Sequence, residues 1–237
     1  MLTIRPSAAR GHFDFGWLDT RHTFSFGEYF DADHTQFRSL RVINEDRVRP
    51  GQGFGLHGHR DMEIFTWVLE GSLEHKDSLG TGGNGDEGVL RPGQAQAMSA
   101  GTGIRHSEFN GSATEPVHFL QIWILPEAAG GPARYQQADF DDARLRNRLG
   151  LVASRDGAEG SVVLHQDVTI QVARLDAGCS VSHAFLEGRH GYVQVAKGAV
   201  SLNGQDLAAG DGARLSFEAE ATLTAKEPSE VLVFDLA

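Results

Sequence analysis

The chain has 237 residues, a formal net charge of −11, 40% hydrophobic and 22% charged residues, and one cysteine. That length and apolar content suit one large or two small soluble domains with a sizeable core. The lone Cys179 excludes an internal disulfide or a cysteine-based zinc site, no run approaches the roughly 18 apolar residues of a membrane helix, and the acidic balance argues against a nucleic-acid partner.

The opening Met1-Leu2-Thr3-Ile4-Arg5-Pro6 has no apolar signal core, so a cytoplasmic location without a membrane is expected. From there the chain reads as short apolar runs punctuated by 29 glycines. Strands are predicted at 39–43, 63–69, 94–98, 117–125, 161–172, 192–195 and 230–234. Turns are predicted at Arg49-Pro50-Gly51, Glu70-Gly71, Arg91-Pro92-Gly93, Lys197-Gly198 and Asn203-Gly204. This pattern predicts an all-β chain of antiparallel barrels or sandwiches.

The two halves also repeat. Val68-Leu69-Glu70-Gly71-Ser72-Leu73 lies over Val195-Ala196-Lys197-Gly198-Ala199-Val200, and Leu90 to Gly93 with Ser99 lies over Leu207 to Gly210 with Ser216. The first half is longer between these anchors, with the excess near 80–88, a glycine- and acid-rich loop. Residues 127–132 read as a loop and 139–147 as a polar stretch able to hold a helical turn. Two β-rich domains are expected, 1–133 and 134–237.

The strongest local signal is Gly51-Gln52-Gly53-Phe54-Gly55-Leu56-His57-Gly58-His59-Arg60-Asp61-Met62-Glu63. Residues i and i+2 of a strand face one side, so His57 and His59 point together. About fifty residues later, Gly101-Thr102-Gly103-Ile104-Arg105-His106-Ser107-Glu108 repeats that spacing with His106 and Glu108. Brought side by side in a barrel, three imidazoles and one carboxylate converge, a set that suits a divalent transition ion. Glu63 shares the parity of His57 and His59 and is a rival carboxylate.

These residues resemble the two motifs of the cupin superfamily. Gly51 through Glu63, followed by Gly71, is similar to the first; Gly103 through His106 to Asn110 is similar to the second. Gly71 comes one residue late, and Gly101 stands where proline is usual. More specifically, the chain resembles the pirin family. The carrying residues are Trp17-Leu18-Asp19, His22 to Phe26, Leu40 to Asn44, Gly55 to His59, Met62-Glu63, Val68 to Gly71 and Ser99 to Glu108, which span most of residues 10–125.

The resemblance implies a bicupin, two antiparallel jelly-roll-like β-barrels, with one metal in the N-terminal barrel held by His57, His59, His106 and Glu108. Fe(II) is the first choice, with Zn, Cu, Ni, Mn and Co as alternatives. It implies a dioxygenase that cleaves a flavonol such as quercetin with O2 to a depside and carbon monoxide. Glu108, or alternatively Glu63, would take the substrate's proton, and Phe54, Leu56 and Met62 are candidate pocket walls. The alternative the family offers is a non-enzymatic, iron-binding redox sensor that docks on a protein partner.

Overlaying the halves on Gly71/Gly198 and Ser99/Ser216 leaves none of the four ligands in the second, so that barrel is expected to be metal-free. His22, among aromatic residues, is expected to be packed, His75 and His118 to be core or surface residues, Arg105 to form a structural ion pair, and Cys179 to be a bystander. Two barrels in one chain can shield each other's sheets, so a monomer is expected.

Overall fold

The computed structural model describes residues 1–81 and 88–237, so most of the acidic loop expected at 80–88 lies outside the described residues. The chain divides into two compact units. One comprises Gly11–Asp139 with Val162–Gln166; the other comprises Met1–Arg10, Phe140–Ser161 and Asp167–Ala237. The division differs from a single cut after residue 133. Leu2–Arg5 is an edge strand of the second unit, paired antiparallel with Gly212–Ser216, and a short return segment near residue 164 belongs to the first.

Each unit packs a long antiparallel sheet against a shorter one. In the first, the long sheet runs Arg134–Asp139, Gln94–Ser99, Glu63–Glu70, Val117–Ile124, Leu40–Val48, Leu18–His22, Gly11–Asp14. The short one runs Gly53–His59, Ile104–Asn110, Leu73–Asp77, Val89–Leu90. In the second, Leu2–Arg5, Gly212–Ser216, His190–Lys197, Ser229–Leu236, Val168–Leu175 and Gly150–Ser154 follow one another in the long sheet. The short one runs Ser180–Ala184, Glu220–Ala225, Ala199–Leu202, Gln205–Ala208. Position for position, the two orders match, so the repeat read in the sequence is a repeat of architecture.

The anchors of the repeat do the same work twice. Gly71 and Gly198 have φ of +75° and +76°, a left-handed conformation that a side chain strains. A Cβ on either would meet a proline carbonyl, Pro116 O at 2.5 Å or Pro228 O at 2.4 Å. Thr66 pairs with Gln96 across the first long sheet as Val193 pairs with Ala213 across the second.

Most predicted strands are present. The run at 161–172 breaks into Val162–Val163 and Val168–Leu175. Between them the chain turns, with Gln166 N–H donating to Leu164 O. The polar stretch holds one short helix, Asp142–Leu145, capped by the Asp141 side chain accepting from Arg144 N–H. Among the described residues no helix is long and apolar enough to cross a membrane.

Candidate metal centre

Three adjacent strands of the first short sheet build the site. Ile104–Asn110 lies in the middle, with Gly53–His59 on one side and Leu73–Asp77 on the other. His57 stands directly opposite His106, while Asp77 and His75 stand opposite His106 and Glu108 from the other side. Glu108 is opposite Phe54 rather than Gly55, so the outer strand carries a bulge before His57. Such bulges re-aim side chains beside functional sites. Close approach is secured at Gly53, where a Cβ would fall 2.3 Å from Glu108 O.

The three histidines expected to converge do so. His106 Nε2 lies 2.9 Å from His59 Nε2 and 3.0 Å from His57 Nε2. His106 is buried, whereas His57 and His59 are half-buried on the exposed outer strand, which leaves one side open.

The surrounding hydrogen bonds fix which nitrogens carry protons. His57 Nδ1 is 2.8 Å from Gly55 O, which can only accept, so Nδ1 holds the proton and Nε2 is bare. Asp77 accepts N–H bonds from Leu79 and Thr81. Burial pushes the Asp77 carboxyl up, but these bonds and His75 outweigh it and hold it below the ordinary range. His75 Nε2 therefore donates to Asp77 Oδ2 at 3.1 Å. That leaves His75 Nδ1 as acceptor for His106 Nδ1–H at 3.4 Å, and His106 Nε2 is bare. Two bare nitrogens thus face each other at 3.0 Å.

Burial, reinforced by the neighbouring histidines, lowers His106 to about 2 and His59 to about 4, so both rings are neutral at pH 7. Facing lone pairs repel unless a cation sits among them. Two ligand bonds of about 2.1 Å at a right angle put their nitrogens roughly 3.0 Å apart. The donor set therefore fits a transition ion with right-angled ligand positions.

Glu108 is completely enclosed in the barrel. Its Oε1 accepts from Gln96 Nε2 at 2.9 Å and its Oε2 from Gln121 Nε2 at 2.7 Å. Thr66 ties the two amides together: its Oγ1 donates to Gln121 Oε1 at 2.8 Å and accepts from Gln96 Nε2 at 3.0 Å. Burial raises the Glu108 carboxyl to about 7, with the charge of Asp46 adding to the rise and the amide bonds opposing it. Its donor oxygen groups with His106 and His75, all within 4.8 Å of one another, whereas His57, His59 and His106 form a second such group. His106 belongs to both.

Glu63 lies elsewhere. The strand ends at His59, and Asp61 has φ of +49°, so parity is not carried through to Glu63. Its Oε2 accepts from Ser99 Oγ at 2.8 Å and from His165 N–H at 3.1 Å. It lines a separate cleft of about 350 Å³ with Asp61, Ser99 and His165. The geometry gives it no place beside His57, against the role of alternative base.

Of the other expected residues, Phe54 packs on Trp17 and Met62 joins the apolar cluster around Ile64 and Met98. Leu56, alternating with His57, is 61% exposed and is no pocket wall. His22 is packed between Phe13 and Phe26, and His118 bonds Glu45 at 3.0 Å. Arg105 is exposed and forms no ion pair among the described residues, contrary to expectation. His75 is the functional neighbour that sequence reading missed; the signal was Asp77 two residues on, on the same strand face. In the second unit His183 bonds Asp235 at 2.8 Å, and Arg189 pairs with Asp235 and Asp167. Among the described residues, both metal-capable groups lie in the first unit.

The Pirin family profile matches residues 3–124, and that of the quercetinase C-terminal cupin domain matches residues 151–236. A curated relative from Escherichia coli strain K12, quercetin 2,3-dioxygenase, is 44% identical over 236 residues, covering 100% of this chain and 99% of its own. The crystal structure of YhhW from Escherichia coli aligns with a TM-score of 0.94 at 44% identity, covering 100% of this chain and 98% of its own. A second structure, the bacterial pirin YhhW in complex with nickel(II), aligns with a TM-score of 0.92 at 44% identity, covering 100% and 99%. With both family profiles matched in order and a relative alike from end to end, this bicupin chain belongs to the pirin family.

Proposed function

We propose that the chain is a metal-dependent dioxygenase of the quercetin 2,3-dioxygenase type, opening a flavonol with O2 to a depside and carbon monoxide. His57, His59 and His106, with Glu108 beneath them, are the residues that hold the ion. The observation that carries this reading is the convergence of the bare Nε2 atoms of His57 and His106 beside a fully buried carboxylate. The E. coli relatives, one named quercetin 2,3-dioxygenase and one crystallised with nickel(II), support it. Fe(II) is the resident ion we propose and Ni(II) the natural ion for loading, since both accept imidazole and right-angled ligand positions.

When bound, a divalent ion supplies Lewis acidity that lowers the pKa of the flavonol 3-hydroxyl. The protein supplies the rest. Glu108, enclosed and held by two side-chain amides, is the carboxylate placed to take the hydroxyl proton. Gln96 and Gln121 fix its two oxygens, so the carboxylate keeps its position whether or not it carries the proton. The Asp77–His75 pair locks the tautomer and tilt of His106, as such partners do for metal-bound histidines. The deprotonated flavonol adds dioxygen across its central ring, carbon monoxide leaves, and the proton departs with the product carboxyl.

The test loads wild type, His57→Ala, Glu108→Gln and Glu63→Gln with Ni(II) or Fe(II) and follows oxygen uptake with loss of flavonol absorbance. Activity in wild type and Glu63→Gln with loss in the other two supports the reading. No oxygen-dependent flavonol loss with either metal would sink it.

A further inference from the structure

The first unit holds a cavity of about 320 Å³. This is a volume typical of small-molecule pockets, which run from about 300 to 1,000 Å³. Its walls include Phe13, Phe15, Phe26 and Phe54. Phe13 and Phe15 stack with centroids 6.0 Å apart, and Phe15 is 59% exposed at the rim. Three residues of its lining tie it to the catalytic carboxylate. Phe54 stands opposite Glu108 across the short sheet, Asn44 stands opposite Gln121, which holds Glu108, and the charge of Asp46, on the cavity lining, is felt at Glu108.

Two polar side chains of the lining are at odds with these apolar walls. Thr20 and Asn44 are 2% and 4% exposed, yet Thr20 Oγ1 and Asn44 Oδ1 have no hydrogen-bond partner among the described residues. Leaving a buried polar atom unpaired is costly, so such atoms mark a place where something else bonds. Both sit on neighbouring strands: Thr20 pairs with Asp46 and His22 with Asn44, which makes Thr20 and Asn44 diagonal neighbours on one face. Both unpaired atoms accept, and Asp46 beside them offers further acceptor oxygens. The complement of phenyl walls with a floor of acceptors is a flat aromatic ring that carries hydroxyl donors.

We infer that this cavity seats a hydroxylated ring of the substrate, with Thr20 Oγ1 and Asn44 Oδ1 accepting hydrogen bonds from ring hydroxyls. The inference rests on the dioxygenase reading above and adds the element that selects polyhydroxylated substrates over bare ones. A site built to bond a hydroxyl discriminates strongly against an analogue that lacks it, because its own polar atoms are then left buried and unpaired.

The test is equilibrium binding to the nickel-loaded full chain under argon, with quercetin and 3-hydroxyflavone as probes. Both carry the 3-hydroxyl and 4-carbonyl, but only quercetin carries hydroxyls on its outer rings. Wild type should bind quercetin at least about tenfold more tightly. Thr20→Val and Asn44→Ala should each shrink that preference to within about threefold, whereas Thr20→Ser, which keeps the hydroxyl, should retain it. Nickel content near that of wild type certifies that each variant is folded. A preference for quercetin that survives in either Thr20→Val or Asn44→Ala, or no preference in wild type, overturns the inference. Without oxygen neither result depends on turnover, so an intact preference in a protein that consumes no oxygen would sink the proposed reaction alone.

Discussion

The two barrels share one strand order but opposite interiors. Laid over each other through Gly71/Gly198 and Ser99/Ser216, Thr66 falls on Val193, Gln96 on Ala213 and Glu108 on Ala225. The three in the first barrel form one hydrogen-bonded net around a buried carboxylate. The three in the second belong to a single apolar core with Val195, Leu202 and Leu223. The second barrel shows that this architecture closes well on hydrocarbon alone. The polar net of the first is therefore not a requirement of the fold: burying it costs desolvation that only its internal bonds and a bound ion offset. The difference marks the first barrel as the place where stability is exchanged for chemistry.

The largest effect separating the barrels should come from their histidines. His106→Ala is expected to drop bound nickel from near one per chain to below about a tenth, since it removes the ligand shared by both donor groups. His183→Ala in the second barrel, whose ring bonds Asp235, should leave nickel content unchanged. Metal analysis of the two purified variants checks both, and equal loss would erase the distinction between the barrels.

Glu108→Gln comes next. Activity should fall roughly 100-fold or more through loss of the proton acceptor, followed as oxygen uptake. Unfolding of the metal-free variant by denaturant should show stability within about 1–3 kcal/mol of wild type, because the enclosed charge is removed while the new amide NH2 meets a Gln96 or Gln121 donor where a carboxylate oxygen accepted. A marked loss of stability would make Glu108 a structural residue.

The pH dependence of metal-free stability follows from the same groups. His59 and His106 are lowered to about 4 and 2, so they are neutral when folded and take protons when unfolded. Their contribution is full above the ordinary value of 6.5 and is lost as the pH falls toward 4; His75, also lowered, adds in the same direction. Glu108 has the opposite sign. Its contribution is present below the ordinary 4.5 and is lost as the pH rises through about 7. Between pH 6.5 and 4.5 the histidines outnumber it, so stability should decline with falling pH. The slope is about 1.4 kcal/mol per pH unit for each net proton, less for the part due to half-buried His59, which solvent screens. Glu108→Gln should steepen the decline, and a flat profile would contradict the assigned protonation states.

The smallest expected effect transplants the difference. Val193→Thr places a hydroxyl in the apolar core of the second barrel with no Gln or Glu to bond it, at a cost of about 1–3 kcal/mol by denaturant unfolding and no change in metal content. A neutral result would show that the second core tolerates polarity as the first does.

The sequence made the two barrels and the convergence of His57, His59 and His106 legible, because strand alternation and paired His-x-His and His-x-Glu spacings are local. What it hid depends on breaks and on register. Parity pointed Glu63 at the histidines, but parity holds only along an unbroken strand, and the turn at Asp61 ends it. His75 reaches His106 through cross-strand pairing that local spacing does not encode. The cavity beside Thr20 and Asn44 draws its lining from separated strands, so no single motif announces it.

The most direct test of the account is a crystal structure of the nickel-loaded chain with anomalous scattering at the nickel edge. The account predicts one strong peak, ligated by the Nε2 atoms of His57, His59 and His106 and by a Glu108 oxygen, with His75 bonded to His106 behind it. A peak in the cleft lined by Glu63, Asp61 and His165, or at His183 and Asp235 in the second barrel, would contradict it.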